Sequence, residues 1–403
     1  MKLKVLMVGI ILALLLGCVP RIPKEPLPPE KPPLYQEQKF IYPLTDDAGN
    51  SSLQTAVERS LAYLAKRISA GNSPSYLQGP GGNLFSPAGL YRSLTIFREI
   101  LTSASAEAEF ERRVREAFTF WEVTSEGRAQ PILLTGYYEP IVEGQLESGG
   151  GYHYPIYGRP ADLIGTTARD NSREWAAKNR IGRLEKGQVV PYYSRKEIDC
   201  QGVLQGKGYE LAWLRDPWER YVLHIQGSGQ VRLPDGKRFR VGFAASNGRP
   251  YRSIGRYMVE QGFLSEKELS LSRLKEFIRQ QPGRMDEIFN INERYIFFRP
   301  IPGEEGPIGA LGFPLTAGRS VATDPTIFPP GAIAYLIAQQ PAFDEAGRPK
   351  ARRALRRFVV NQDTGAAMKG PDRVDLFCGS GHRAGMVAGA MREEGKIYLL
   401  LAK

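Results

Sequence analysis

The chain has 403 residues, 42% of them hydrophobic and 24% charged, and its 54 Lys and Arg against 43 Asp and Glu leave a formal charge of +11. That length accommodates one large or two ordinary domains, and the composition is globular rather than disordered or fibrous. Three Cys exclude a disulfide-dense scaffold, and with the three His they are too few and too scattered to make a metal-ligand set; neither metal nor cofactor is expected.

The chain begins MKLKVLMVGIILALLLGCVP. Lys2 and Lys4 precede an apolar run over residues 5–16, a charged n-region and short h-region rather than a membrane span. The run closes in Leu15-Leu16-Gly17-Cys18, which resembles a bacterial lipobox. A signal peptide over residues 1–17 is therefore predicted, with Cys18 lipidated. The plainer alternative is an ordinary signal with a chance Cys. Val19 follows in place of the Asp linked to inner-membrane retention, which favours an outer-membrane lipoprotein facing the periplasm. PRIPKEPLPPEKPPLY comes next, too rich in Pro for sheet or helix, and predicts a semi-rigid tether across 18–45. A periplasmic address argues against nucleic acid as partner of the positive charge. Anionic head groups or an anionic wall polymer suit it, as does solubility alone. Cys200 and Cys378 could form one bridge, which sequence does not test.

From residue 51 the pattern is helical. Leu53, Val57, Leu61 and Leu64 recur at spacings of three and four. A second helical region spans about 88–118. After Pro131 short runs of Tyr, Val, Ile and Phe alternate with Gly and Pro: PILLTGYYEPIVEG, RYVLHIQGSGQVRLPDGKRFRVGF, RYIFFRPIPG, AIAYLIA, RFVVNQD, RVDLF and KIYLLLAK. Such runs predict strands of a sandwich or barrel. VRLPDGKRF reads as a hairpin turning at Asp235-Gly236. A helical interruption covers about 253–280. The fold class is mainly β with N-terminal helices.

Near the C-terminus, NQDTGAAMKGPDRVDLF places Asp363 and Asp375 beside strand-like runs, although strands disfavour Asp. Alternation in RVDLF sets Arg373, Asp375 and Phe377 on one face. A carboxyl there, beside an aromatic ring and poorly solvated, has a raised pKa, as a general acid requires. Asp363, in NQDTG, and Asp324, in ATDPT, have the context of turn-fixing acids. Asp372 reads as an exposed turn residue.

QDTGAAMKGPDRVDLF followed by GSGHRAGMVAG resembles the C-terminal signature of the MltA family of membrane-bound lytic murein transglycosylases. Asp324, Asp363 and Asp375 match its three-Asp pattern. LLTGYYEP, HIQGSGQV, ASNGRPYRSIG, FFRP and GFPLTAGRSVATDPTIFPPGA resemble further blocks in family order, covering most of 133–403. The resemblance implies a double-psi β-barrel catalytic domain (46–140 and 293–403, with the N-terminal helices) carrying an inserted β-rich glycan-binding domain (141–292), and a groove between them for a glycan strand. It implies a peptidoglycan lytic exotransglycosylase, a carbon–oxygen lyase. Such an enzyme cleaves the β-1,4 bond between N-acetylmuramic acid and N-acetylglucosamine and leaves 1,6-anhydromuramic acid. Implied partners are peptidoglycan strands, the membrane through the lipid, and cell-wall synthesis or divisome proteins.

On that resemblance Asp375 is the single acid and base, with Asp363 and Asp324 in support or merely fixing turns. Thr135, Tyr137, Tyr138 and Glu139 could line the groove; for either Tyr, core packing fits equally. Glu139 is the rival acid. Gln226 and Ser228, in QGSG, and Ser246, Asn247, Tyr251 and Arg252, in the second domain, are candidate substrate contacts; a tight turn or a surface loop fits the same residues. A Cys378–His382 nucleophile is disfavoured, because the flanking glycines indicate a loop. Two rival functions stay open: a peptidoglycan-binding lipoprotein without activity, and a muramidase-type hydrolase using two acids and water.

Overall fold

The structure, a computed structural model, describes residues 35–71, 84–125, 128–165, 181–266, 268–303, 305–344 and 349–403. Cys18, the signal segment and the Pro-rich stretch up to residue 34 lie outside the described residues. Among the described residues no helix is long and apolar enough to cross a membrane.

Residues 35–45, assigned to the tether by their sequence, are folded against the body. Tyr35–Gln38 (β1) pairs antiparallel with Phe118–Ser125 (β2), and Tyr35 is fully buried. The following acids anchor this strap. Asp46 accepts two bonds of 2.7 Å from the wholly buried Arg319 guanidinium, and Asp47 accepts from Arg357 at 2.7 and 2.6 Å. These ion pairs and the Tyr35 ring place residues 35–47 on the folded body.

Asn50–Ser69 (α1) and Pro87–Ser103 (α2) lay their apolar stripes on the main core, and Glu107–Ala117 (α3) follows. The predicted Leu53, Val57, Leu61 and Leu64 are all buried there. Ser86 caps α2 by accepting from the Gly89 amide at 3.1 Å, with Pro87 in the first turn. Arg128–Ala129 (β3) pairs with β2, and Ile132–Glu139 (β4) enters the barrel.

Between the two barrel segments lies a second sheet. Its members are Ile141–Gln145 (β5), Tyr154–Tyr157 (β6), Glu210–Leu214 (β9), Gly229–Arg232 (β10), Arg238–Ser246 (β11) and Ile296–Ile301 (β12), in the order β12-β11-β10-β5-β9-β6. Gly182–Glu185 (β7) and Gln188–Pro191 (β8) form a separate hairpin. Among the described residues the α-helices of this part are Arg195–Asp199 (α4), Pro217–Gln226 (α5), Ile254–Glu260 (α6), Leu271–Gln280 (α7) and Met285–Asn290 (α8). The hairpin at Asp235-Gly236 is present: Gly236 adopts φ +84°, and the Lys237 amide donates to Asp235 Oδ1 at 3.0 Å. Two expectations change here. RYVLHIQ is not a strand but most of α5, started by Asp216 accepting from the Trp218 amide at 2.9 Å and ended by Gly227 at φ +76°. RYIFFRP does not enter the barrel; β12 pairs antiparallel with β11, so this part extends past residue 292 to 301.

Ser320–Ala322 (β13), Ile333–Phe343 (β14), Pro349–Asp363 (β15), Arg373–Ser380 (β16) and Arg392–Ala402 (β17) complete the barrel. It closes as β17-β14-β15-β13-β16-β4 and back to β17. The six-stranded barrel with a second β-rich part is the expected architecture. Closure leaves no free edge among its six strands, which is how a small sheet covers both its polar borders. The GSGHRAGMVAG loop is instead a helix, Gly381–Ala390 (α9), lying on β4 and β16.

Candidate active site

Register gathers the acids. Ala322 on β13 has Asp363 of β15 as its partner on one side and Asp375 of β16 on the other. On the far side of β16, Asp375 faces Thr135 of β4. The alternation that turns Val374 and Leu376 into the core leaves Asp375 only one-fifth exposed.

Asp363 is fully engaged. Its Oδ2 accepts from the Tyr137 hydroxyl and its Oδ1 from the Ala310 amide, each at 2.9 Å. Burial pushes its carboxyl above the ordinary range, and the bonds from Tyr137, Ala310 and Thr364 oppose that push. Asp324, just beyond β13, is also engaged. Its Oδ1 takes the Thr326 amide and hydroxyl at 2.9 and 2.7 Å, and its Oδ2 takes the Gly370 amide at 3.0 Å. Burial works against ionisation, yet these bonds hold its pKa below the ordinary value. Asp324 therefore staples its own turn to the β15–β16 connection.

Asp375 differs. Its Oδ1 is buried and has no hydrogen-bond partner, and the nearest cation, Arg373 Nη2, stands 3.8 Å away. Burial pushes its pKa up to about 6, Arg373 holds it down and the Asp363 charge raises it further. Tyr137, Cys378 and Tyr251 also share its field. Such a group is mostly protonated in mildly acidic solution, keeps a protonated fraction near neutrality and readily returns to the carboxylate.

Around it, Arg373 Nη2 reaches Thr135 Oγ1 at 3.4 Å, and the Tyr137 ring lies 5.3 Å from that of Phe377. Tyr251, from the second part, shares the field of both Asp375 and Arg373, so the site lies where the two parts meet. Arg373 had only a place on the Asp375 face in the sequence reading. Its Nε is buried without a partner, which marks it as a member of the site.

The structure gives the other expected residues these surroundings. Glu139 is wholly buried and bound to Arg240, Gln230 and Ser380. Gln226 Oε1 accepts from the Tyr138 amide at 3.1 Å, and Tyr138 packs against the aromatic core of the second part. Asn247 is spent on backbone: its Nδ2 donates to Tyr193 and Glu293 carbonyls, and its Oδ1 accepts from the Tyr295 amide. Ser246 is buried and takes a 3.4 Å bond from the Gly248 amide. Arg252 leans toward Glu260 at 3.7 Å. Ser228 is half-buried in the turn between α5 and β10. These polar residues read as surface contacts in sequence because alternation does not tell which loops become covered. Cys200 and Cys378 are both free thiols. Burial pushes the Cys378 thiol up to about 12, which removes it as a nucleophile.

Two domain families match the chain: "MltA specific insert domain" over residues 133–299 and "3D domain" over 319–401. A Vibrio cholerae protein named membrane-bound lytic murein transglycosylase A is 29% identical over 272 residues, 67% of this chain; the chain spans 65% of that relative's length. The crystal structure of MltA from Neisseria gonorrhoeae is 32% identical, covers 78% of this chain and 87% of its own, and gives a TM-score of 0.58. A membrane-bound lytic murein transglycosylase from Agrobacterium tumefaciens gives a TM-score of 0.70 at 28% identity, covering 89% and 93% of the two chains.

Proposed function

The chain belongs to the membrane-bound lytic murein transglycosylase A family, and on that premise we propose that it cleaves the β-1,4 bond between N-acetylmuramic acid and N-acetylglucosamine in peptidoglycan without water. Protonated Asp375 gives its proton to the glycosidic oxygen as the bond from C1 breaks. Positive charge develops at C1. The C6 hydroxyl of the same sugar attacks C1, and its proton passes to the Asp375 carboxylate. The products are a free 4-hydroxyl on the leaving glucosamine and a 1,6-anhydromuramic acid end, with the acid restored. The intramolecular attack gains from proximity when the sugar is held in a reactive shape. Asp363 acts on Asp375 through its charge, and Tyr137 holds Asp363; both are positioning residues. Asp324 keeps the turn.

The observation that carries this reading is the lone buried oxygen of Asp375. A two-carboxylate hydrolase needs a second free acid. Asp363 and Asp324 have both oxygens hydrogen-bonded, and Glu139 is held by Arg240. A pure binding protein has no use for a carboxyl raised to about 6, which costs folding free energy at neutral pH. The test is digestion of purified murein by the protein and by Asp375→Asn, with products identified by mass. Anhydro ends from the parent alone are expected. Hydrated reducing ends would mean a muramidase, and no cleavage by the folded parent a binding protein.

Lipid attachment at Cys18 and outer-membrane residence belong to the same reading, supported by the lipobox and by relatives named membrane-bound. Labelling with radioactive palmitate should mark the protein and not Cys18→Ser.

A further inference from the structure

The chain leaves the barrel at Glu139-Pro140 and returns after β12 at Gly303, and one ion pair touches both crossings. Glu139, the last residue of β4, is wholly buried. Its Oε1 accepts from Arg240 Nε at 2.5 Å. Its Oε2 accepts from Ser380 Oγ at 2.6 Å, Gln230 Nε2 at 2.8 Å and Arg240 Nη2 at 3.4 Å. Arg240 Nη1 donates to the Gly303 carbonyl at 2.9 Å. One carboxylate thus joins the ends of β4 and β16, both in the barrel, to β10 and β11, and its partner Arg240 holds the chain just past β12. The mechanism above gives Glu139 no proton to move.

The junction also carries the bond from the Tyr138 amide to Gln226 Oε1, and beside it apolar and steric contacts. Gly381, Gly385 and Gly389, four apart on α9, meet Ile141, Tyr138 and Leu271. A Cβ at Gly385 would stand 2.8 Å from the Tyr138 ring. A smooth apolar surface resists sliding weakly, whereas a carboxylate with four fixed donors admits a narrow range of geometry. The desolvation cost of a buried ion pair largely offsets its attraction, so a buried pair is weak evidence for stability. Specification of geometry is the better account of this one. The geometry concerned is functional, because Ser380, which donates to Glu139, ends the same strand that carries Asp375.

We propose that Glu139, with Arg240, is a positioning post that fixes the angle of the second sheet on the barrel and so sets where a glycan lies against Asp375. The claim rests on the transglycosylase reading for its substrate, but not for its mechanics. The test uses the full-length protein, Glu139→Gln and the milder Ser380→Ala. It measures steady-state release of anhydro ends, thermal unfolding and hydrogen exchange by segment. Misplacement by about 1 Å costs about a hundredfold in rate. Glu139→Gln is therefore expected to lower kcat at least tenfold with a smaller change in KM, and Ser380→Ala about threefold. Exchange should quicken at residues 139–142 and 299–303 and stay unchanged at 355–360 in the barrel. Unchanged kcat and exchange in either folded variant overturns the proposal. So does an activity loss that follows global unfolding, with exchange rising across barrel and insert alike, because that is the signature of a stabilising pair only. Should Glu139→Gln fail to fold, Ser380→Ala decides on the same two readouts. Absence of anhydro ends from the parent would sink the activity reading, while the exchange pattern would still decide the post.

Discussion

The second sheet and the barrel each bury an aspartate among charged neighbours, and the two acids are treated in opposite ways. Asp199, at the end of α4, is nearly closed to solvent. Its Oδ1 takes Arg220 at 2.9 Å and the Tyr295 hydroxyl at 3.1 Å, and its Oδ2 takes Arg195 at 3.4 Å. Burial, then Arg195 and Arg220, hold the neighbouring His224 well below its ordinary pKa and therefore neutral. Both Asp199 oxygens thus have partners, although Nε2 of the adjacent His224 is buried without one. Asp375 is about one-fifth exposed, with one cation 3.8 Å away and an oxygen left over. Burial alone does not make an acid reactive; incomplete compensation does.

The largest expected effect breaks the contrast from the barrel side. Asp375→Asn should lower anhydro-end formation by about a thousandfold, within the usual range for losing a general acid. It should also stabilise the fold, with a defined sign. The carboxyl has a folded pKa of about 6 against an ordinary 3.8. Below 3.8 both states are protonated and there is no penalty. Between 3.8 and 6 the unfolded chain loses its proton first, and above 6 the penalty is complete, at most about 3 kcal/mol. The Asn variant escapes it, so its advantage in urea unfolding should be absent at pH 3.5 and full at pH 7.5.

From the other side, Asp199→Ala should cost about 3–5 kcal/mol, because Arg195 and Arg220 remain buried without their counter-ion. Urea unfolding reads the loss, and the pH dependence of anhydro-end formation by the folded variant, which reports Asp375, should not move. If it does move, the two clusters are coupled and the contrast is wrong.

Arg373→Gln should have a smaller effect on rate and a distinctive one on pH. It removes the cation that holds Asp375 down, so the limb of the rate profile that reports this acid should move up by about one unit. The other groups facing Asp375 (Asp363, Tyr137, Cys378 and Tyr251) stay in place. A profile that stays put would mean that the guanidinium does not set this pKa. Smallest of all, Tyr137→Phe removes one bond to Asp363. A cost of about 1 kcal/mol in thermal unfolding and a few-fold loss of kcat are expected.

Several of these features were legible in the residues. The α1 stripe, the Asp235-Gly236 hairpin and the covered face of RVDLF follow from periodicities of 3.6 and 2 and from turn chemistry, which act within a few residues. The misread segments failed for a local reason too. RYVLHIQ is apolar enough for a strand, but Asp216-Pro217 and Gly227 are start and stop signals for a helix, and they outweigh the run of β-formers. In α9 the glycines at 381, 385 and 389 recur every four residues, a helical period that the preceding Gly379 obscured. Glu139 sat in a motif that invited a catalytic role. Only the approach of Arg240, about a hundred residues away, makes it a structural anion.

The sequence by itself determined the mainly β body with its leading helices and the three acids of the C-terminal half, because short-range pattern and composition encode those directly. Tertiary structure decided which acid is left uncompensated. Register across three strands brings Asp363 and Asp375 to either side of Ala322. Tyr137, Ala310, Thr326 and Gly370 then satisfy Asp363 and Asp324 and leave Asp375 one oxygen short. A pKa depends on the dielectric and the charges within a few ångströms, and those neighbours come from strands far apart in the chain.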